Sequence, residues 1–179
     1  MDSYVKKILI LGGESSGKST LSAELANKVL HVPLVREYGR DYCDFIGREL
    51  TVDDMYVIAS VQIREEETAV YVAIRTGSEY IVCDTSLITT YWYSLNLCNG
   101  VDYRLRKAAM AMIKQYDYIF LCDNDIPFVQ DGTRQNEQFR QNAYDWYIRK
   151  LKRLGLKYHI VSGSVSDRVN QVKNVLTSP

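Results

Sequence analysis

The run Ile8-Leu-Ile-Leu-Gly-Gly-Glu-Ser-Ser-Gly-Lys-Ser-Thr20 restricts what this chain can fold into more than any other feature. It fits the pattern G-x-x-x-x-G-K-[ST], and it lies between an apolar strand-like segment and a helical one, the context in which the pattern has a mechanism. Gly12 and Gly17 allow backbone turns that a β-carbon would obstruct, so successive N–H groups can face one concavity that holds the β-phosphate of a nucleoside triphosphate. Lys18 is then placed to bridge the β- and γ-phosphates, and the Ser19 hydroxyl to ligate Mg²⁺. The expected nucleotide-binding segment comprises Gly12, Gly13, Glu14, Ser15, Ser16, Gly17, Lys18, Ser19 and Thr20, with ATP or GTP as the ligand.

Beyond this loop the chain alternates between two kinds of segment. Short apolar runs rich in β-branched residues at 7–11, 32–35, 80–83, 118–122 and 157–161 predict five buried strands. Helical signals fall between them. Residues 19–30 follow the glycine turn, Thr51-Val-Asp-Asp54 has the pattern of a capping box before a long helix, and 137–154 runs without glycine or proline. Ser164-Val-Ser-Asp167 is a second such box, opening a helix with Val165, Val169, Val172 and Leu176 on one face. Strand and helix in alternation predict a parallel α/β sheet. There is no internal repeat or low-complexity tract, and Pro33, Pro127 and Pro179 are too few to mark a linker, so 1–179 is expected to form a single domain.

In an open parallel sheet, ligands lie beyond the carboxyl ends of the strands, which gives weight to polar residues just after each apolar run. Asp84 follows the third run. A carboxylate there can hold a metal-bound water, or it can simply cap the turn Asp84-Thr-Ser86. Glu37, within Arg36-Glu-Tyr-Gly-Arg40, could take a proton from an acceptor hydroxyl or belong to a solvated charge cluster. After the fourth run, residues 125–140 read as a lid that delivers Arg134 to the transferring phosphoryl group, with Arg140 as a second candidate. On a surface loop an arginine is otherwise a solvated charge.

Five blocks in this order resemble the nicotinamide riboside kinase (ribosylnicotinamide kinase) domain of the NadR family. They are Gly-Gly-Glu-Ser-Ser-Gly-Lys-Ser at 12–19, Glu-Tyr-Gly-Arg at 37–40, Asp-Thr-x-x-Ile-Thr-Thr at 84–90, Asp-Gly-x-Arg at 131–134 and Asp-Arg-x-Asn-Gln-Val-Lys at 167–173. The resemblance implies a phosphate-loop NTPase fold of the nucleotide-kinase type, with a five-stranded parallel sheet flanked by helices. It implies ATP- and Mg²⁺-dependent phosphorylation of the 5′-hydroxyl of nicotinamide riboside to nicotinamide mononucleotide. By analogy with nucleoside kinases of similar fold, Glu37 becomes the base and Asp84 the residue that organises the metal beside Ser19. Arg168 and Asn170 fall where the family resemblance puts the adenine, and Arg134 joins Lys18, Glu37 and Asp84 in the catalytic set. On the acceptor side the expected contacts are Glu37, Tyr38, Arg40, Gln62, Asp84, Tyr91 and Trp92. Where family members carry an aromatic residue before Glu-Tyr-Gly-Arg, this chain has Arg36, so a stacking face for the pyridinium would come from Tyr38, Tyr42, Tyr91 or Trp92, residues that equally suit packing. Gln62, on the long helix, suits a carboxamide partner or an ordinary surface position.

Charge and composition narrow the alternatives. Lysine plus arginine and aspartate plus glutamate both number 22, so no bulk positive charge favours nucleic acid or a membrane surface. The expected partner is a small molecule. No apolar stretch approaches the ~20 residues of a membrane span, and no signal-peptide pattern is present, which makes the cytoplasm the expected address. Cys43, Cys83, Cys98 and Cys122 show no C-x-x-C spacing and read as reduced core residues. The only histidines, His31 and His159, form no H-x-G-H signature, so an adenylyl-transfer half is not expected. The competing functions are a kinase for another nucleoside or nucleotide, and a regulatory ATPase whose output is binding.

Overall fold

In strand β1 (Lys6–Leu11) the pleat sends Ile8 and Ile10 to one face and Leu9 and Leu11 to the other, and all four are completely buried. Both faces of this strand are therefore covered, as in a parallel sheet between helical layers. The computed structural model describes residues 4–130 and 135–178. Strands β2 (Leu34–Val35), β3 (Tyr80–Asp84), β4 (Tyr118–Cys122) and β5 (His159–Val161) complete a parallel sheet of order β2-β3-β1-β4-β5. From the central β1 the chain departs toward β2 on one side, whereas β4 continues to β5 on the other. That divergence opens a crevice at the carboxyl ends of the central strands.

Helices α1 (Lys18–Glu24), α2 (Tyr38–Ile46), α3 (Val52–Thr76), α4 (Leu87–Leu97), α5 (Tyr103–Met112), α6 (Glu137–Arg153) and α7 (Val165–Thr177) connect the strands. Ile8, Ile10, Val82 and Phe120 pack with Leu21 of α1 and Val169 and Val172 of α7. Leu9, Leu11, Ile81 and Leu121 pack with α3, α4, α5 and α6 through Met55, Ile88, Leu105 and Tyr147. Both expected capping boxes form. Thr51 Oγ1 accepts from the Asp54 N–H while the Asp54 carboxylate accepts from the Thr51 N–H, and Ser164 and Asp167 repeat the exchange.

The edges depart from expectation. β2 is confined to Leu34–Val35, because the Val32 N–H turns back to the Ala26 carbonyl at 3.0 Å and Pro33 has no N–H to offer a ladder. β5 begins only at His159. The first helix widens into π-type turns over Leu25–Leu30 and ends at His31, whose φ is 53°. α2, α4 and α5 carry no local signal strong enough to predict them, and α2 has no buried residue at all. Cys83 and Cys122 are core residues as expected, and all four thiols are free. Cys43 and Cys98 are only half-buried, because α2 and the end of α4 lie at the rim of the molecule.

Candidate active site

Close packing forces the conformation of the phosphate loop. Gly17 ends it at φ 78°, in the left-handed region, and its carbonyl accepts the Leu21 N–H at 3.0 Å to start α1. A β-carbon on Gly13 would lie 2.9 Å from the Arg140 backbone carbonyl, so α6 can approach the loop only because that residue is glycine. Two arginines brace this loop from outside. Arg140, 3% exposed, donates to the carbonyls of Ile126 at 2.8 Å and Ser15 at 3.3 Å. Arg168, 2% exposed, donates to the carbonyls of Ser16 at 2.6 Å and Gly163 at 3.0 Å and pairs with Asp125. With its donors turned to protein groups, Arg168 sits beside the expected nucleotide site as a strut. Asn170 is exposed on α7.

Three charged groups meet at the mouth of the loop. Lys18 Nζ lies 3.2 Å from Glu37 Oε2, joining the start of α1 to the end of the β2 segment. Burial alone would depress the Lys18 ammonium, but the carboxylates of Glu37 and Asp84 outweigh it and hold it above the usual lysine value. Asp84, the last residue of β3, is 5% exposed. Burial lifts it above the usual carboxylate range, offset only in part by Lys18 and by a hydrogen bond to the Ser19 hydroxyl. Its Oδ1 has no partner. A buried carboxylate oxygen left unpaired beside a serine hydroxyl suits a divalent cation. Among the described residues no group of three or more His, Cys, Asp or Glu could hold a metal by itself, so phosphates and water would complete such a shell.

A cavity of about 410 Å³ opens directly on Lys18 and Glu37. Glu14, Arg40, Arg48, Glu49, Thr85, Thr89, Thr90 and Tyr93 give it polar lining, while Leu50, Met55, Ile58 and Leu97 supply apolar surface. This mixture fits a small organic ligand. Gln62, expected as either a contact or a surface residue, is 2% exposed and lines the cavity. Its Oε1 accepts the Tyr38 N–H at 3.4 Å, and its Nε2 has no partner. Glu14 accepts from Tyr93 Oη at 3.1 Å and from the Gln135 N–H at 2.7 Å, which ties the loop to α4 and to the approach to α6. A smaller cavity lies alongside, lined by Ser19, Arg36, Glu37, Arg40, Asp41 and Asp84.

Other expected contacts fall elsewhere. Tyr91 and Trp92 do not line the cavity; they pack against Trp146, edge-on and tilted, with ring centroids 5.7 and 5.2 Å apart, because α4 turns that side toward α6. Tyr38 lies outside the cavity wall against Tyr42, whose hydroxyl donates to Asp54 at 2.7 Å. Arg134 lies outside the described residues. Within the segment 125–140, Val129 N–H donates to Ser15 Oγ at 2.9 Å, and 137–140 already belong to α6. Tyr93, Thr85, Thr89, Thr90, Met55 and Ile58 were not foreseen. Helical spacing is the signal that could have found those on helices, since Met55, Ile58 and Gln62 share one face of α3, as Thr89 and Tyr93 do on α4, whereas Thr85 lies in the turn between β3 and α4 and carries no such signal.

The fold and this site define a phosphate-loop α/β protein of the nucleotide-kinase type. The family model for the AAA domain matches residues 7–168, and the chain belongs to that family. It is 33% identical over 140 residues to the trifunctional NAD biosynthesis/regulator protein NadR of Salmonella typhimurium, the match covering 73% of this chain and 31% of that protein. The chain thus corresponds to about a third of the length of that relative. Among solved structures it resembles NadR in complex with NR, with a TM-score of 0.72 and 21% identity over 97% of this chain and 51% of that one. Thymidylate kinase from Ehrlichia chaffeensis shares the fold at a TM-score of 0.67 and 18% identity, covering 97% and 99% of the two chains. The resemblance to NadR carried by the five sequence blocks is thus met by similarity over most of the chain. No helix among the described residues is long and apolar enough to cross a membrane.

Proposed function

We propose that residues 1–179 form one kinase domain that transfers the γ-phosphoryl group of ATP to the 5′-hydroxyl of nicotinamide riboside. The observation that carries this reading is the 3.2 Å contact between Lys18 and Glu37, which places a phosphate-loop lysine and a carboxylate together at the mouth of an acceptor-sized cavity. Similarity to NadR supports the choice of riboside. A switch or regulatory ATPase has no need of such a cavity beside the γ-phosphate position.

The backbone N–H groups of the loop and α1 hold the phosphates, and Lys18 turns from Glu37 to the β- and γ-oxygens as they arrive. Glu37, released, accepts the proton of the acceptor hydroxyl as its oxygen bonds to phosphorus and the bond to the ADP oxygen breaks. Ser19 and Asp84 would hold Mg²⁺, which offsets the charge of the β- and γ-phosphates when bound. The apolar surface of the cavity receives the pyridine ring, and Gln62 Nε2 donates to its carboxamide oxygen. An unpaired buried amide donor costs about 1–3 kcal/mol, which that ligand oxygen recovers.

The test is ADP release measured across a panel of nucleosides and pyridine ribosides. Nicotinamide riboside is expected to stimulate turnover most. Stimulation by a different nucleoside alone would move the assignment to another nucleoside kinase, and stimulation by none would end the kinase reading.

A further inference from the structure

Thr85 occupies a backbone conformation that β-branched residues rarely adopt. Its φ is 76°, in the left-handed region where the branched side chain crowds its own backbone. The strain is localised beside the phosphate loop, since the Thr85 N–H donates to the Ile10 carbonyl at 3.1 Å, two residues before Gly12. Glycine or asparagine would hold the same turn with less strain, so the turn alone does not account for threonine. The side chain is 4% exposed, its hydroxyl has no hydrogen-bond partner, and the residue lines the same cavity as Lys18, Glu37 and Gln62. Strained backbone and an orphaned buried hydroxyl at one residue are the marks of a side chain held in place for a ligand.

We infer that the Thr85 hydroxyl is a specificity-determining contact to an oxygen of the acceptor's sugar, a reading that rests on the proposed nucleoside acceptor. Its place in the cavity selects that part of the ligand. Thr85 directly follows Asp84, the last residue of β3, and its N–H is tied to Ile10 just ahead of the phosphate loop, so it lies beside that loop, while Leu50, Met55 and Leu97 give the cavity apolar lining suited to a ring. A threonine hydroxyl both donates and accepts, matching a sugar hydroxyl, whereas Gln62 Nε2 can only donate. Together the two orphans describe a ligand with an acceptor atom on its ring and hydroxyls on its sugar.

The experiment is calorimetric titration of wild type, Thr85→Val, Thr85→Ser and Thr85→Ala with nicotinamide riboside and, in parallel, with adenosine, each compared with an ATP titration. Valine keeps the branched shape and removes the hydroxyl. On whichever nucleoside wild type binds, Thr85→Val is expected to weaken binding by about 5- to 10-fold with ATP affinity unchanged, and Thr85→Ser to restore it. If Thr85→Val does not fold, Thr85→Ala is read in its place. Wild-type affinity in the hydroxyl-free variants overturns the inference, as does an equal loss for nucleoside and ATP, which would mean only that the turn had moved. Wild type that binds neither nucleoside overturns it together with the proposed acceptor class. Wild type that binds a nucleoside but never phosphorylates it removes the kinase reading and leaves the contact to stand or fall on the valine comparison.

Discussion

Arg168 Nη1 donates to the carbonyl of Ser16 at 2.6 Å, so a side chain of the last helix holds the backbone of the first loop. The same guanidinium bonds the Gly163 carbonyl and pairs with Asp125, closing three chain segments around one buried cation. Its planar fork meets these directions at once, which a lysine ammonium on a single stem does not.

Arg168→Ala is therefore expected to cost about 2–4 kcal/mol of stability, because it strands buried carbonyls and a carboxylate together, and to weaken ATP binding in step. Arg168→Lys should recover only part of both. Chemical denaturation and nucleotide titration measure the pair of effects. Lost ATP affinity at unchanged stability would show direct nucleotide contact in place of bracing.

The two strand-end carboxylates should separate kinetically. Glu37→Gln is expected to lower kcat by roughly 10²- to 10⁴-fold while ATP affinity is kept or improved, since Lys18 loses the partner that competes with phosphate. Asp84→Asn should shift the Mg²⁺ dependence as well as the rate, because an amide cannot replace the missing charge. A magnesium titration of both variants decides, and a Mg²⁺ shift confined to Glu37→Gln would exchange their roles.

Gln62→Leu removes a buried donor that has no partner within the protein. Because the variant also removes the acceptor of the Tyr38 N–H, the two effects offset and it is expected to melt close to the wild-type temperature while the KM for nicotinamide riboside rises about 10-fold and that for ATP stays put. Equal riboside kinetics in the two proteins would take the ring's polar group away from this residue.

Asp54 provides the pH test. The Arg48 guanidinium, the Tyr42 hydroxyl and the Thr51 hydroxyl hold its carboxyl well below the usual carboxylate range. A carboxyl whose pKa is lowered by folding stabilises the native state at pH values above its ordinary pKa of about 4, and that contribution is lost as the pH falls further. Asp54→Asn should therefore lower Tm by roughly 5 °C at neutral pH, with the gap to wild type narrowing below about pH 4. Thermal melts from pH 7 down to pH 3 are the measurement, and a gap that persists undiminished in acid would assign the loss to packing.

What could be read from the chain itself was whatever a local pattern carries. The loop before Lys18, the Thr51 and Ser164 boxes and the central strands announce themselves because their cause lies within a few residues. α4 does not, because Leu87-Ile-Thr-Thr-Tyr-Trp-Tyr93 is nearly uniform in polarity and only α6 decides that Tyr91 and Trp92 face the core while Tyr93 meets Glu14. Gln62 lies on the buried stripe of α3 with Met55, Ile58 and Glu66, so its burial was present in the spacing, but its amide orientation is set by the Tyr38 N–H, which takes Oε1 and leaves Nε2 without a partner. Thr85 could not be foreseen at all, since nothing in Asp84-Thr-Ser86 specifies a positive φ.

α2, which presents Gly39, Arg40 and Cys43 to the cavity, buries none of its residues in the core. The phosphate loop is anchored in the molecule's interior, whereas this part of the cavity wall stands on a helix with no fully buried residue. Gly39, Arg40 and Cys43 face the cavity, while Tyr38 and Tyr42 on the same helix pack against the core and fasten it there. An evolving lineage could exchange one acceptor for another by rewriting these few turns while its grip on nucleotide passes unchanged to its descendants.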